Sequence, residues 1–507
     1  MLCVTGGERG AAELCARLAA VAARLGSGEP FLQEVRLDLL ERVDEAVFDL
    51  VAKHRAVVVV CCRPARQDGG YDGDERERLA LLARVGRLGV AYVDVEADVE
   101  DGDLCAMSQA GGSRPLLSWH EKAARPADLA ERLCAMAARG PDAVKLAVPV
   151  DDAAELAALL EAGRAIDIPK VLVGVGEAGL LSRTHYRSFG SAWTYVAAST
   201  AVATAEGQLD LDRALVHGMP ATSSGPLCAL VGGENVMRSP GPAIYNRWLR
   251  RHASELTYVA VLTRKLGDTL ALLERLGARG ASVTMPLKRE ALRLCAPDDL
   301  ARLVGAVNSL RRRSGRWEGT NTDVWGVRAP LARALLAAGL GTGAGAVGAR
   351  ALVLGAGGAA AAAALACEQI GLAVCLSARR REAAEELAAR GRLVVPWDER
   401  ADAPCDVLVN ATPIGGAQSP WPAGRSLGKR IVFDLAMPPA ARPGAPDTPA
   451  PGSLARGRSQ LCAQAEHEGA VALGALEMWL CQGARQIGWI LGREIDPDSL
   501  RELAACL

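Results

Sequence analysis

Lysine is scarce in this chain. Seven occur among 58 Lys and Arg residues, so positive charge normally sits on arginine, which stays protonated. A lysine in an apolar setting can shed its proton and become a nucleophile. C-x-x-C spacing is absent, and the fourteen cysteines are scattered apart from the pair Cys61-Cys62. That argues against a zinc framework, so no metal is expected, and it reads as reduced thiols in a reducing compartment. Neither a basic block nor an acidic tail is present, and the net charge is -1, so no nucleic-acid partner is expected. The longest apolar run, Ala351 to Ala366, is mostly alanine and is broken by Gly355, Gly357 and Gly358, a poor membrane span. Met1 lies almost against the first apolar run, so no signal or transit segment is expected within these residues. A chain of 507 residues has room for two to four domains.

What is present is alternation. Short apolar or β-branched runs recur at Leu2–Val4, Phe31–Leu37, Val57–Cys61, Ala91–Val95, Pro115–Trp119, Ala143–Val148, Lys170–Gly174 and Trp193–Val196, separated by Ala/Leu/Arg segments of helical period. Eight strand–helix alternations predict a closed (β/α)8 barrel, with a small open α/β sheet as the structural alternative. Chemistry in such barrels sits at the C-terminal strand ends, and the polar residues fall there. Glu34, Arg36 and Asp38 alternate on one strand face; Arg63, Asp94, Glu96, His120, Arg183 and Gln208 end or follow later strands. Lys145 stands alone in the apolar run of strand six. Taken singly, Lys145 would read as a snorkelling surface lysine, His120 as a core histidine, and Glu34–Arg36 as a structural ion pair. Together, charged groups around one lysine imply an anionic, polyhydroxylated substrate.

E-V-R-L-D at Glu34–Asp38, D-V-E at Asp94–Glu96, S-W-H at Ser118–His120, V-K-L-A at Val144–Ala147, G-x-x-S-R at Gly179–Arg183 and E-G-Q at Glu206–Gln208, in this order, resemble type I 3-dehydroquinate dehydratase. The resemblance covers the first half. It implies that Lys145 forms a covalent imine with the substrate ketone and that His120 moves the proton. It further implies that Arg183 holds the carboxylate and that Glu34, Arg36, Arg63, Asp94, Thr204 and Gln208 contact substrate. Thr204 replaces the family's usual serine, and Asp68 stands, one methylene shorter, where the family has a glutamate orienting the histidine.

A polar break at Ala221–Pro226 separates a second region, with strands expected at Leu227–Val231, Thr257–Val261 and Ala281–Thr284. Ser239-Pro-Gly-Pro242 with Tyr245-Asn246, Val283-Thr284-Met-Pro286-Leu-Lys288, Gly305-Ala-Val-Asn308 and Gly319-Thr-Asn321-Thr322-Asp323 resemble the substrate domain of shikimate dehydrogenase. The resemblance implies that Lys288 is the proton donor, that Asp323 orients it, and that Ser239, Thr284 and Asn308 bind substrate. The family pattern S-x-S-P has lost its second serine to Gly241, which leaves room for the bulkier quinate.

After the strand Ala351–Leu354 comes Gly355-Ala356-Gly357-Gly358-Ala359 and an alanine-rich helix, the strand–turn–helix arrangement that brings backbone close to a pyrophosphate. The next strand ends in Arg379-Arg380-Arg381. Arginine there favours the 2′-phosphate of NADP over the 2′-hydroxyl of NAD; a solvated helix start accounts for at least one of Arg380 and Arg381. Asn410-Ala-Thr412-Pro-Ile-Gly415 resembles the dehydrogenase family and is expected near the nicotinamide, with Met437 (tyrosine in the family) and Gly474. Pro438 to Arg458 reads as an insertion. The last helical region, Ala470–Leu491, carries Gln482 and Gln486 one turn apart, and the resemblance implies that both bind substrate, Gln482 by reaching back to it.

The expected architecture is therefore a barrel (1–220), a linker (221–226), a small α/β substrate domain (227–325) with the C-terminal helical region 470–507 packing back on it, and a Rossmann NADP-binding domain (326–469). The order resembles the plant fusion of these two activities, and a monomer is expected. It would work in the plastid stroma of a plant or alga, or otherwise in the cytoplasm. The alternatives are a dehydratase joined to an NADP-dependent quinate dehydrogenase, or to a weakened NADP-binding or scaffolding module.

Overall fold

The computed structural model describes residues 1–507 except 27, 29, 105–111, 122–127, 344–347, 389–390, 437–457 and 506–507. It divides into two compact units, Met1–Leu227 with Leu249–Gly277, and Cys228–Trp248 with Ala278–Leu507. No helix among the described residues is long and apolar enough to cross a membrane.

In the first unit the eight apolar runs become β1 (Leu2–Thr5), β2 (Phe31–Arg36), β3 (Val58–Cys61), β4 (Tyr92–Glu96), β5 (Arg114–His120), β6 (Ala143–Pro149), β7 (Lys170–Val175) and β8 (Thr194–Ala197). They pair in parallel in the order β7-β6-β5-β4-β3-β2-β1-β8. The seam between β7 and β8 is stitched by Ala192 N–H donating to Lys170 C=O at 2.8 Å and Leu172 N–H donating to Ser191 Oγ at 2.9 Å. Strand alternation sorts the side chains. Cys3, Leu32, Val59, Tyr92, Leu116, Ala143, Val171, Trp193 and Tyr195 form one buried cluster, whereas their chain neighbours Val35, Val58, Val60 and Val93 pack with Leu14, Leu18, Phe48 and Leu82 of the surrounding helices. Strands buried on both faces read as continuous apolar runs, which is why the sequence displays them so plainly.

Five strands of the second unit form one sheet. In chain order they are β9 (Leu227–Gly232), β11 (Gly280–Val283), β12 (Ala296–Pro297), β13 (Ser309–Arg313) and β14 (Arg316–Thr320); β10 (Thr257–Leu262) lies within the residues of the first unit. Within the second unit neighbours run β9-β11-β13-β14-β12. The β13–β14 hairpin is absent from the expected strands. Its two-residue turn has Ser314 at φ 48° and Gly315 at φ 77°, the double positive φ that matches strand twist.

A second sheet contains β15 (Arg350–Leu354), β16 (Ala373–Ser377), β17 (Leu393–Val394), β18 (Val407–Asn410), β19 (Ile431–Asp434) and β20 (Val471–Leu473). All its ladders are parallel and the order is β17-β16-β15-β18-β19-β20. The strand order reverses between β15 and β18, the crevice where open α/β sheets bind ligands. The expected helix Ala470–Leu491 is corrected here: residues Val471–Leu473 are strand β20, and the helix is Ala475–Leu491. Four apolar residues between Gly469 and Gly474 are too few to show a period of two.

Candidate active sites

Lys145 lies inside the barrel and is 4% exposed. Its Nζ donates to Asp94 Oδ2 at 2.7 Å, stands 3.9 Å from Glu34 Oε1, and lies 4.5 Å from the centroid of the Tyr195 ring. Glu34 Oε1, Arg63 Nε, His120 Nδ1 and Arg183 Nε are buried with no hydrogen-bond partner within the protein, while Asp94 has Ser118 and Tyr195 has Trp193 as a further side-chain neighbour. Burying polar groups without partners is costly, so this is a site whose polar groups await those of a ligand. Glu34, Cys61 and Asp94 present ligand atoms within 4.8 Å of one another, spacing that would suit a divalent ion; the cation placed against two of them is Lys145.

The charges set the protonation states. Full burial pushes the Asp94 carboxyl up, but Lys145 and Arg63 overcome it and hold the group below its ordinary value. Burial, then Arg63, Lys145 and Arg36, push His120 well below the ordinary imidazole value. The imidazole is therefore neutral, with a lone pair, at neutral pH. Arg36 is held by a fork on Asp38, Nε to Oδ1 at 2.9 Å and Nη2 to Oδ2 at 2.5 Å, and Asp38 Oδ2 also accepts from Gly70 N–H at 2.9 Å. Arg183 is buried and reaches Glu206 C=O with Nη2 at 3.4 Å.

The other expected residues differ. Gln208 Oε1 accepts from Thr204 N–H at 2.9 Å and from Thr204 Oγ1 at 3.3 Å, so these two bind each other in the loop after β8, with Thr204 exposed. Asp68 is exposed in a left-handed turn, φ 59°. Glu96 is a fully buried partner of Arg78 at 2.6 Å, a structural ion pair. Tyr195, not singled out from the sequence, joins the site; a tyrosine at an inward strand position was its only signal.

In the second unit Lys288 Nζ donates to Asp323 Oδ2 at 2.6 Å. Asn308 Nδ2 donates to Asp323 Oδ1 at 2.8 Å and to Thr322 Oγ1 at 3.1 Å, and its Oδ1 accepts from Thr322 N–H at 2.8 Å and Ser309 Oγ at 2.7 Å. Asp323 N–H donates to Asn321 Oδ1 at 3.1 Å. Asp323 opens the helix Asp323–Ala337, where the helix dipole favours its negative charge. Asn308 is thus a scaffold for the pair, and Ser309, Asn321 and Thr322 support it. Gln486 donates to Asn308 C=O and Ser309 Oγ, each at 2.8 Å, and is buried. It therefore secures the network and has no free donor. Gln482 Oε1 accepts from Thr322 Oγ1 at 3.5 Å. Thr284 follows β11, its N–H donating to Val231 C=O at 2.9 Å. Ser239 Oγ accepts from Gly241 N–H at 3.1 Å. The room at Gly241 is bounded: a Cβ there would meet Ser239 Oγ at 3.2 Å and the Tyr245 ring at 3.4 Å.

At the switch point, Gly355 has φ +113°, and a Cβ there would meet Ala411 C=O at 2.9 Å. Ala356, Gly357, Gly358 and Ala359 lead into the helix Gly358–Ile370, and Cβ atoms on Gly357 or Gly358 would enter open space. Asn410 shapes the loop after β18: its Nδ2 donates to Ile414 C=O and Asp434 Oδ1, each at 2.8 Å, and its Oδ1 accepts from Thr412 Oγ1 at 2.7 Å. Arg379 and Arg380 are exposed after β16, while Arg381 is tied to Glu385 at 2.8 Å. Gly474 caps the helix Ala475–Leu491 and is open on its Cβ side. Met437 and the Pro438–Arg458 insertion, all but its final residue, lie outside the described residues.

Comparison with known proteins agrees with this arrangement. The model of type I 3-dehydroquinase matches residues 16–215, and that of the shikimate dehydrogenase substrate binding domain matches 231–310. Among curated proteins, the bifunctional 3-dehydroquinate dehydratase/shikimate dehydrogenase, chloroplastic, of Arabidopsis thaliana is 28% identical over 61% of this chain and 53% of its own, so the chain spans about half of that relative. Shikimate dehydrogenase (NADP(+)) of Anaeromyxobacter sp. (strain K) is 39% identical over 40% of this chain and 76% of its own. Its counterpart from Thermosynechococcus vestitus is 34% identical over 52% and 94%. The chain belongs to the shikimate dehydrogenase family and carries a type I 3-dehydroquinase domain ahead of that region.

Proposed function

We propose that the chain is a bifunctional enzyme of two successive steps, dehydration of 3-dehydroquinate to 3-dehydroshikimate in the barrel and NADPH-dependent reduction of that ketone to shikimate in the second unit. The observation that carries the reading is Lys145, buried against two carboxylates and ringed by unpartnered polar atoms. Its amine condenses with the substrate ketone, and the cationic imine draws electrons from the adjacent carbon. Neutral His120 takes the proton from that carbon and returns it to the departing hydroxyl, so that water leaves. Arg183 and Arg63 have unpartnered Nε groups for the anionic end.

In the second unit Lys288 gives a proton to the substrate oxygen, and Asp323 holds the ammonium in place. The residues around the switch point fit NADP(H): a glycine turn into which a Cβ would not fit at 355, an open approach at Gly357 and Gly358, and a helix N-terminus for the pyrophosphate. The exposed Arg379 and Arg380 after β16 support contacts to a 2′-phosphate. When bound, the nicotinamide supplies the hydride. The test has two parts. Borohydride with 3-dehydroquinate should modify Lys145, and NADP+ should be reduced on adding shikimate. An unmodified Lys145 in folded protein would remove the first half of the proposal, and inert shikimate the second.

A further inference from the structure

Small barrels fill their interior in layers of four side chains drawn from alternate strands. Glu34 on β2, Asp94 on β4 and Lys145 on β6 are three members of such a layer, within 3.9 Å of the Lys145 nitrogen. The fourth even strand, β8, contributes Tyr195, whose ring centroid lies 4.5 Å from the same nitrogen. Tyr195 is 6% exposed; its buried hydroxyl has the Trp193 side chain as a neighbour, an indole N–H that can only donate, and its own O–H has no acceptor within the protein. Its strand is fixed by pairing with β1, Tyr195 opposite Cys3, and by Trp193 packed on Tyr92 at 4.9 Å between centroids.

We propose that Tyr195 is a positioning residue of the dehydratase site: its ring face holds the Lys145 nitrogen, and its hydroxyl is the donor left for an oxygen of the bound substrate. The proposal rests on the imine reading above. In imine formation the N–C bond forms and the ketone C–O bond breaks. Two ammonium protons leave with the oxygen as water, and the positive charge stays on nitrogen. A ring face attracts that cation before and after the step, whereas a third carboxylate would over-neutralise a layer already holding two. Burial, then Cys3, Glu34 and Asp94, push the phenol well above its ordinary value, so it stays a neutral donor.

The full-length chain tests this with Tyr195→Phe and Tyr195→Leu, followed by steady-state dehydration and by the rate of borohydride trapping at Lys145. Phe keeps the face, so kcat and trapping should stay near wild type while KM rises about tenfold for the lost donor. Leu removes the face, so kcat and trapping should fall about tenfold or more. If Leu does not fold, as judged by circular dichroism, Tyr195→Met supplies the faceless side chain. A faceless variant that traps at the wild-type rate overturns the positioning role, and an unchanged KM in Tyr195→Phe overturns the role of the hydroxyl. Wild type that fails to trap overturns the imine reading as well, so the two failures are distinguishable.

Discussion

The two lysines contrast. Lys145 is buried, shares its surroundings with two carboxylates, and is ringed by polar atoms that lack partners. Lys288 has a quarter of its side chain exposed and meets one carboxylate, both of whose oxygens are already engaged, one by Lys288 and one by Asn308. The first arrangement keeps polar atoms with no partner within the protein, and a polar ligand's own groups would gain most there. The second is a completed network that fixes one donor in one place and suits a single proton delivery. Fold alone would not show this: Lys145 lies on β6 and Lys288 opens the short helix Lys288–Ala291, both in α/β units, and the difference lies in what surrounds them.

Removing each lysine should separate the halves. Lys145→Ala should lower dehydration by at least ~10⁴-fold, since the nucleophile has no substitute, and leave NADP+ reduction by shikimate unchanged. Lys288→Ala should lower that reduction by roughly 10²–10⁴-fold, the range of a general acid, and leave dehydration unchanged. Parallel assays of both variants on both reactions check this; a Lys145→Ala protein that still dehydrates at a tenth of the wild-type rate would break the contrast. A smaller effect sharpens it. Asn308→Ala should cost about 1–3 kcal/mol of stability, because it leaves buried acceptors at Asp323 and donors at Thr322 and Ser309 unpaired. Chemical denaturation measures it. Loss of activity with no loss of stability would mean that Asn308 contacts substrate and is not a scaffold.

The contrast also bears on what the sequence reveals. The barrel strands were legible because parallel strands buried on both faces are continuous apolar runs. The β13–β14 hairpin was hidden because Arg311, Arg312, Arg313 and Arg316 interrupt its pattern, and short β20 offered too few residues. Residue type showed that Asp94 and Glu96 both end β4. It did not show that Arg78 on a surrounding helix claims Glu96 and Lys145 claims Asp94. Partner choice across distant strands is a property of the packing. The same holds for Asn308 and Gln486, expected as substrate contacts and found bonded to each other, and Asn308 also to Asp323. It holds also for Tyr195, which as a strand tyrosine reads as core.

Burial in the first unit has a further consequence in acid. His185 and His217 are buried, and burial first, with His217 adding to it for His185 and Arg213 and Arg250 for His217, lowers them to about 3 and about 4. Both values lie below the unfolded value near ~6.5, so the unfolded chain binds more protons as pH drops. The stability these residues contribute is complete above ~6.5 and is lost as pH falls toward about 4 and then about 3. The slope should be roughly 1–3 kcal/mol per pH unit between pH 6 and 4. Denaturant unfolding across that range measures it, and His185→Gln with His217→Gln should flatten it; an unaltered slope would assign acid sensitivity to other groups.

The smallest expected effect concerns Gly241, where the second unit departs from the S-x-S-P pattern. Absence of a side chain suggests space for a bulkier alcohol. The geometry narrows that space: Ser239 Oγ and the Tyr245 ring already stand 3.2 and 3.4 Å from where a Cβ would be, and Tyr245 is held by stacking on Trp479 at 5.5 Å and 3°. Contacts of 3.2 to 3.4 Å require a shift of only a few tenths of an ångström, which Ser239 can supply by rotating. Gly241→Ser should therefore fold and restore a hydroxyl at little cost. It should raise kcat/KM for shikimate relative to quinate by no more than about two- to tenfold, since one hydrogen bond contributes about 0.5–1.5 kcal/mol. A shikimate-to-quinate ratio that rises more than about tenfold would mean that the missing side chain governs substrate choice and that the wild-type site is shaped for quinate.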